Sequence, residues 1–469
     1  MEESLLENSS FLKSIGDSVG IGEPALKLLL SILFGYPIAI VHRHFLTKQP
    51  PEIQHVFIIS CGLLLGFYNF GIEFLHSTAN MLFIYVLLKT IGGTVHSVVI
   101  ALIFNLFYLL IGYYYTSTES YDIVWTMPHC ILTLRLTGLA FDLYDGSLPE
   151  DKLNKDQKLN RLRELPSLLE IAGYTYFPTS FLVGPQFPMR KYKEFIAGRM
   201  KGPTETSAHN ISPATRRFLL GCLYAGMHTF GNSYYPEEYL YSDEYAAVPL
   251  WKRIVELGIW GHFVLYKYIS IWLFTEGSCI LIGIAYNGQD ARGNSKWDGC
   301  ANVDLWLFET AQNFHSDYIR SFNINTNTWM MQYIYKRLRF LGNKYYSQLG
   351  VLLYLALWHG LHSGYYMCFF MEFISVFMEK DFENVVKRNE VFADRLQDPV
   401  ASNLKWVVLK IYTLIFMGPC ILPLAVLKFD KWWLVYSRTY FFSQIIWGGW
   451  IIYKPLVKKL LPPRRDRRE

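Results

Sequence analysis

The sequence predicts an all-α, polytopic integral membrane protein with roughly nine to twelve transmembrane or re-entrant helices. Three observations lead to this fold class. Of the 469 residues, 52% are hydrophobic and 18% are charged, whereas charged residues make up about 25% of a typical soluble domain. The uncharged residues are gathered in runs long enough to cross a ~30 Å hydrocarbon core, which takes ~20 residues of helix. The alternating segments of about ten residues that would build an outer-membrane barrel do not occur in the sequence.

The candidate membrane segments differ in how free of charge they are. Runs without Asp, Glu, Lys or Arg over the length of a membrane span cover 53–72, 91–118 and 345–371. Shorter charge-poor runs cover 28–41, 277–289, 411–427 and 439–453. Apolar segments that are interrupted by charges cover 74–88, 123–143, 218–235 and 251–274. Together these segments account for the predicted number of helices.

We treat residues 1–469 as a single domain. No sequence period of about 20 to 50 residues recurs, which argues against a repeat array, and the two halves show no visible duplication. The two charged interludes, 142–170 and 379–395, are too short to form a core of their own. We therefore expect them to be loops or surface helices between membrane segments.

The charge distribution bears on partners and orientation. The chain has 44 Lys and Arg, 39 Asp and Glu and a net charge of +5, and its final stretch 454–469 holds seven basic and two acidic residues. The rest of the chain is therefore neutral. We expect no nucleic-acid partner, because phosphate binding needs basic residues gathered on one face. The basic residues directly after the last apolar run predict a cytosolic C-terminus.

One histidine lies in the middle of a charge-free run. If 345–371 is a single helix, His359 lies ~20 Å from either end, near the bilayer midplane, and His362 shares roughly the same face. An ionisable group at that depth indicates function, although a neutral histidine hydrogen-bonded between helices is an equally good interpretation at this point. No third ligand accompanies the two histidines, and the seven cysteines are scattered singly, so we predict no metal site.

Three asparagines at alternate positions mark a second unusual segment. Asn323, Asn325 and Asn327 lie in an uncharged stretch between Arg320 and Lys336. Amides in such a place need protein partners or a wet cavity. Two interpretations stay open: a polar or re-entrant element whose amides bind neighbouring backbone, and a cavity into which an amide points to hold a carbonyl or a hydroxyl group.

These segments resemble motifs of a known family. Residues Trp358–Phe369 spell WHGLHSGYYMCF, which resembles the WHG-x-x-x-GY-x-x-x-F signature of the lysophospholipid acyltransferase branch of the membrane-bound O-acyltransferases. Trp297–Asp298 is similar to the shorter upstream motif of that branch. Asn323, which lies before His359 in the chain, resembles the asparagine element of the family, and the helical layout is similar over the whole chain.

The resemblance implies a reaction and its reactants. A fatty acyl group, polyunsaturated in this branch, is transferred from acyl-CoA to the sn-2 hydroxyl of lysophosphatidylcholine or a related lysophospholipid, inside a tunnel between the helices. No cofactor is implied, because acyl-CoA is a co-substrate. The implied location is the endoplasmic reticulum membrane, with membrane lipids as surroundings, and a homo-oligomer stays open.

The resemblance also implies roles for residues. Imidazole suits proton removal from an alcohol at neutral pH, so His359 is the expected general base. Asn323 would orient a reactant or stabilise charge on the thioester oxygen. We expect substrate contacts from a further set of side chains: Trp358, Asn327, His362, Tyr365, Lys336, Arg337 and Arg339. The three cations would bind CoA phosphates, although for any one of them cytosolic anchoring is the favoured alternative.

Functions of other classes remain in competition. A transporter also places histidines and asparagines at the midplane, but the charge-free run around His359 contains no carboxylate. A lipid-binding scaffold would tolerate loss of His359. Within the family, an enzyme with a sterol, diacylglycerol or protein acceptor is the nearest alternative.

Overall fold

The computed structural model describes residues 12–16, 21–118, 123–200 and 210–463. The structure is 78% helical, and the described residues form no β-strand beyond two isolated bridges. The all-α prediction is therefore confirmed. The basic residues at 464–468, which contribute to the predicted orientation, lie outside the described residues.

Helices of very different length make up the chain. The longer α-helices are Glu23–Val41, Pro51–Phe70, Leu75–Ile91, Val95–Thr116, Thr126–Ser147, Ile211–Tyr234, Leu250–Ile282, Lys344–His359, Ser363–Lys387 and Pro399–Val426. The shorter α-helices are Lys155–Asn160, Leu168–Thr175, Met189–Ile196, Asp243–Ala247, Leu305–Glu309, Ile319–Ser321, Ile324–Met330, Glu390–Arg395, Phe429–Arg438, Phe442–Gly448 and Trp450–Leu460. The 3-10 helices are Gly71–Phe74, Glu150–Lys152, Glu237–Tyr241 and Arg337–Leu341, and the π-helices are His42–Leu46, Phe314–Tyr318 and Met331–Tyr335.

Among the described residues, five helical segments are long and apolar enough to cross a membrane. They are Glu23–Leu46, Pro51–Ile91, Val95–Thr116, Leu250–Ile282 and Pro399–Val426. The second contains two α-helices joined by a 3-10 turn. The polytopic membrane fold is thus confirmed, whereas the number of nine to twelve helices, which counted less apolar segments as well, stays a prediction.

The chain divides into two compact units. Of the described residues, the first unit comprises those within 1–223, 269–302 and 328–337, and the second comprises those within 224–268, 303–327 and 338–469. Helix Val95–Thr116 of the first unit buries small and polar residues such as Ala101, Asn105 and Gly112 and exposes Ile103 and Phe107. Such an inverted pattern is typical of helices whose outer face meets lipid and whose packing faces carry small or polar residues.

A buried arginine organises the core of the first unit. Arg135 is 1% exposed, and its guanidinium donates to the backbone carbonyls of Tyr174 and Thr175 at 2.8 and 3.2 Å and to the Ser180 hydroxyl at 2.5 Å. The guanidinium also lies 4.9 Å from the centroid of the Phe187 ring. Burying a cation is costly unless its donors find partners, and here backbone carbonyls and a hydroxyl supply them.

The expectation that 142–170 forms only loops or surface helices is wrong at its amino end. Asp142 and Asp145 lie in helix Thr126–Ser147 and are each 1% exposed. Asp142 accepts a hydrogen bond from the Tyr333 hydroxyl at 2.7 Å, and Asp145 forms a two-pronged ion pair with Arg337 at 2.7 and 2.5 Å. These carboxylates are buried because they have donors from residues distant in sequence, which the composition of the interlude does not reveal.

The second unit contains the run that was expected to form one helix around His359. The structure ends one helix at His359 and starts the next at Ser363. The new helix packs closely on Pro399–Val426: the Gly364 N–H donates to the Leu427 carbonyl at 2.9 Å. A Cβ on Gly364 would lie 2.0 Å from the Pro423 carbonyl oxygen, so only glycine fits this crossing.

We predict that Gly364→Ala destabilises the fold. The added methyl group would overlap rigid backbone, which has to move, and overpacking of this kind costs about 1–3 kcal/mol. The free energy of unfolding or the thermal unfolding temperature of the detergent-solubilised protein measures the effect. Gly448→Ala is the matched control, because no heavy atom lies within 4 Å of a Cβ there. Equal unfolding temperatures for the two variants would contradict the close crossing.

Candidate active site

The helix that carries His359 ends at that residue. Its amino end is capped by Asn343, whose side-chain oxygen accepts a hydrogen bond from the Tyr345 backbone N–H at 2.8 Å. Its carboxyl end is set by Gly360, which has φ +139° and ψ −166°, a backbone region that is essentially restricted to glycine. His359 is therefore presented at a helix end, and not in the middle of an unbroken span.

Three aromatic rings surround the imidazole of His359. The Trp358 ring lies 4.8 Å away, edge to face, and the rings of Tyr365 and Phe369 each lie 5.4 Å away at interplanar angles of 29° and 37°. Tyr365 and Phe369 are four residues apart on helix Ser363–Lys387, so they share a face. The GY-x-x-x-F spacing of the signature thus places two rings against the histidine.

Among the described residues, ring contacts alone orient the imidazole. Within the part of the chain that the structure describes, His359 has no hydrogen bond to a protein atom. The ring is half-buried. Its two nitrogens therefore remain available to a substrate, one as acceptor and one as donor in the neutral state.

Asn323 lies at a bend between a bridge and a helix. Phe322 pairs with Val303 in an isolated antiparallel bridge. Asn323 then takes φ +49°, a left-handed conformation that asparagine tolerates better than most residues. Its carbonyl accepts a hydrogen bond from the Asn327 N–H at 3.0 Å, which starts the next helix. The half-buried side chain of Asn323 is therefore carried by backbone that is fixed on both sides.

Asn327 holds this bend. Its side-chain amide nitrogen donates to the carbonyls of Ile319 and Phe322 at 2.8 and 2.9 Å. Both N–H donors of the Asn327 side chain thus bind backbone carbonyls. The left-handed bend at Asn323 would otherwise leave these carbonyls unpaired. Asn327 was expected among the substrate contacts, and the structure gives its amide nitrogen a backbone role next to Asn323.

His362 and Trp358 take different positions. His362 is the residue immediately before helix Ser363–Lys387, and its ring lies 6.3 Å from that of Tyr365. The expected common face with His359 does not exist, because no helix continues through Gly360. Trp358 is 4% exposed and packs beside His359.

The sequence of the chain is similar to a family model and to known proteins over most of its length. Residues 110–421 match the sequence model of the membrane-bound O-acyltransferase family (MBOAT). The chain belongs to this family. It is 41% identical over 456 residues to lysophospholipid acyltransferase 5 of Homo sapiens, covering 97% of this chain and 93% of the relative.

Two further relatives extend the comparison. The chain is 41% identical over 455 residues to lysophospholipid acyltransferase 5 of Drosophila melanogaster, covering 95% of this chain and 90% of the relative. It is 35% identical over 451 residues to lysophospholipid acyltransferase 5 of Caenorhabditis elegans, covering 96% and 95%. The resemblance of the WHG signature is therefore confirmed for MBOAT and for its lysophospholipid acyltransferase branch.

The three cations expected to bind CoA in this MBOAT protein differ in their partners. Lys336 pairs with Asp156 and Arg337 with the buried Asp145, all within the first unit. Arg339 belongs to the second unit, is exposed, and has no ion pair with any described residue. Of the three side chains, Arg339 is the one whose donors are free to meet a phosphate.

The sequence did not single out Glu379, which the interpretation of 379–395 assigned to a loop or a surface helix. Glu379 lies in helix Ser363–Lys387 of this MBOAT chain and is 8% exposed. It accepts hydrogen bonds from the backbone N–H groups of Phe314 and His315, which lie before Asn323 in the chain. The available signal was that apolar residues lie within one helical turn of this carboxylate on both sides. A helix with such neighbours can bury the carboxylate, which then needs hydrogen-bond donors.

No group of three or more His, Cys, Asp or Glu side chains that would suit a metal ion occurs in the described residues. None of the seven cysteines, all of which lie in described segments, forms a disulfide. The short upstream motif, Trp297–Asp298, lies in the first unit, where Asp298 accepts a hydrogen bond from the Asn287 amide at 2.9 Å.

We predict that Asn327→Ala lowers acyltransferase kcat by roughly tenfold to a hundredfold while leaving substrate KM values near those of the wild type, because misplacing a reactive group by about 1 Å costs up to ~10²-fold. Asn327→Asp should be at least as slow, since a carboxylate would face two carbonyl oxygens. Steady-state kinetics on purified protein measure both effects.

Thr328→Ala is the control, because Thr328 is exposed on the same helix. A raised KM with unchanged kcat in Asn327→Ala would instead indicate direct substrate binding and contradict the backbone role.

Proposed function

We propose that this chain is an acyl-CoA-dependent lysophospholipid O-acyltransferase that transfers a fatty acyl group to the sn-2 hydroxyl of lysophosphatidylcholine and related lysophospholipids. The observation that carries the proposal is the His359 imidazole, which is held by aromatic rings at a helix end with no hydrogen bond to a described protein atom. The names of the relatives, which cover nearly the whole chain, support the same class of acceptor.

The proposed reaction is a direct transfer. A nitrogen of His359 takes the proton of the sn-2 hydroxyl as its oxygen attacks the thioester carbonyl carbon. The tetrahedral intermediate then collapses, the bond from carbon to sulfur breaks, and the CoA thiolate takes up the proton from the imidazolium. Atoms and charges balance without an acyl-enzyme and without a cofactor. General base catalysis of this kind contributes about 10²–10⁴-fold to a rate.

Asn323 supplies the second element of the proposed site. Negative charge develops on the thioester oxygen as the alcohol attacks, and an amide N–H placed in advance stabilises it at no reorganisation cost. The left-handed backbone of Asn323 and the clamp by Asn327 support such placement. An alternative role for the same amide, orientation of the acceptor hydroxyl, needs the same rigidity.

The acyl-CoA head group requires cations outside the apolar interior. We assign a phosphate contact to Arg339, because Lys336 and Arg337 each have a carboxylate partner. Arg339 lies on the 3-10 helix Arg337–Leu341, which leads into the helix of His359. Guanidinium groups bind phosphates through paired N–H donors, which suits this role.

We further propose a polyunsaturated acyl donor and residence in the endoplasmic reticulum membrane with a cytosolic C-terminus. The membrane location agrees with the five apolar helices long enough to span a bilayer in the described chain. The donor class, the sn-2 position and the orientation rest on the family resemblance and on the basic C-terminal stretch.

We predict that purified wild-type protein converts lysophosphatidylcholine and radiolabelled arachidonoyl-CoA to phosphatidylcholine, and that phospholipase A2 releases the label. His359→Ala should lower kcat by about 10²–10⁴-fold, and Asn323→Ala by about 10²–10³-fold. His96→Ala is the control, because His96 is an exposed histidine of the first unit.

The same assay separates the competing functions. A panel of lysophospholipid, sterol, diacylglycerol and peptide acceptors, with palmitoyl-CoA and linoleoyl-CoA as further donors, identifies the acceptor class. Absence of any acylated product, or full activity of His359→Ala, would refute the proposed reaction.

We predict that Arg339→Glu raises the KM for acyl-CoA by roughly tenfold and leaves the KM for lysophosphatidylcholine unchanged, because it replaces an attraction for phosphate with a repulsion. The effect should shrink as ionic strength rises. Arg388→Glu is the control, since Arg388 is also an exposed arginine of the second unit. An unchanged KM for acyl-CoA in Arg339→Glu would contradict the assignment.

A further inference from the structure

Glu379 is a buried carboxylate with an unusual number of donors. Its oxygens accept hydrogen bonds from the backbone N–H of Phe314 at 3.0 Å and of His315 at 2.8 Å, from His315 Nδ1 at 3.0 Å and from the Tyr412 hydroxyl at 2.9 Å. Burial of a charge is costly without such partners. The donors come from two segments, so Glu379 ties both to its own helix, Ser363–Lys387.

The backbone donors belong to the first turn of a π-helix. The opening N–H groups of a helix have no partner within it. In helix Phe314–Tyr318, Asn313 accepts from the Ser316 and Asp317 N–H groups at 2.9 and 3.2 Å, and Glu379 accepts from the earlier pair. Glu379 thereby fixes the start of the π-helix Phe314–Tyr318 to helix Ser363–Lys387.

The π-helix leads to Asn323 through packed rings. The Phe314 ring lies 5.2 Å from that of Tyr318, the Tyr318 ring lies 5.3 Å from that of Phe308, and the Phe308 ring lies 5.8 Å from that of Phe322. The Phe322 N–H also donates to the Tyr318 carbonyl at 3.0 Å. Asn323 follows directly, so these contacts connect it to the amino end of the π-helix.

The other end of the Glu379 helix holds the histidine. Tyr365 and Phe369, in its first two turns, pack against His359. Glu379 lies ten residues beyond Phe369, which is ~15 Å along the helix. One helix therefore contacts His359 in its first two turns and, through Glu379 in its carboxyl-terminal half, the segment that carries Asn323.

We propose that Glu379 is a positioning residue for acyl transfer: its carboxylate fixes segment 313–323 to helix Ser363–Lys387 and so sets the place of the Asn323 amide relative to the His359 imidazole. This inference rests on the proposed function. Glu379 acts through other residues and is not itself proposed to touch a reactant.

Glu379→Gln tests the proposal with little change in size. The new NH₂ group would face N–H and O–H donors, so the anchor loosens. We expect kcat to fall by roughly tenfold or more, with the KM values for acyl-CoA and for lysophosphatidylcholine within about twofold of the wild type. Lys380→Gln, at the next position of the same helix and exposed, should keep the wild-type kcat.

A second pair of variants covers the case in which Glu379→Gln does not fold. His315→Ala removes the imidazole donor, whereas His315→Asn offers an amide N–H in nearly the same place as Nδ1. We expect kcat to fall in His315→Ala and to recover in His315→Asn, with both KM values unchanged. Loss of packing alone would not be repaired by the smaller polar side chain.

The outcomes separate this inference from the proposed function. A wild-type protein that forms no phospholipid refutes the function itself. If wild type and His359→Ala behave as expected, a wild-type kcat in Glu379→Gln overturns the positioning role, as does a raised KM for either substrate. Equal kcat values for His315→Ala, His315→Asn and the wild type would overturn it as well.

Discussion

The backbone leaves its helix at both places where the proposed catalytic side chains, His359 and Asn323, lie. In a membrane every backbone group released in this way needs a partner inside the protein. The chain meets this constraint locally. After His359, the Gly360 N–H still reaches the Ala356 carbonyl at 3.2 Å, and the Gly364 N–H reaches the Leu427 carbonyl. At the second break, the Asn327 amide serves two carbonyls at once. Each irregular segment thus carries its own set of donors, which restrain the backbone that bears His359 and Asn323.

The WHG signature acquires a physical meaning from this arrangement. Gly360 ends the histidine helix by adopting a backbone conformation that other residues rarely reach. Because Gly364 has no side chain, the next helix can pack closely against the backbone around Pro423. Trp358, Tyr365 and Phe369 then enclose the imidazole. The motif therefore specifies a helix break at Gly360, a close helix crossing at Gly364 and aromatic rings around the histidine. Its spacing follows from the positions of the two glycines and from the helical turn that separates Tyr365 from Phe369.

The fold class and the candidate residues were predictable from the sequence because both depend on local composition. Long uncharged runs predict helices whatever their partners, and His359 and Asn323 stand out against apolar neighbours. The break after His359 was not predicted, because an uncharged run has the same composition whether one helix or two cross it. The burial of Asp142, Asp145 and Glu379 was not predicted either. Their donors come from residues far away in sequence, and only the folded chain brings these together.

The surroundings of His359 distinguish its proposed chemistry from that of a catalytic triad. In a triad a carboxylate binds the second imidazole nitrogen, fixes the tautomer and stabilises the imidazolium. Within the described residues, His359 has aromatic rings and no carboxylate as neighbours with a recorded contact, and these rings orient the ring plane without choosing a tautomer. The acceptor alcohol itself then selects the nitrogen that acts as base, because only a hydrogen bond to the unprotonated nitrogen activates it. The imidazolium formed in the transfer would also lie against the faces of Tyr365 and Phe369, whose quadrupoles attract a cation. A thioester demands less of such a base than an oxygen ester does, since its carbonyl carbon is more electrophilic and the thiolate is a good leaving group. Under this proposal the rate depends less on activating the alcohol than on placing the thioester carbonyl. The bend at Asn323 would serve that placement.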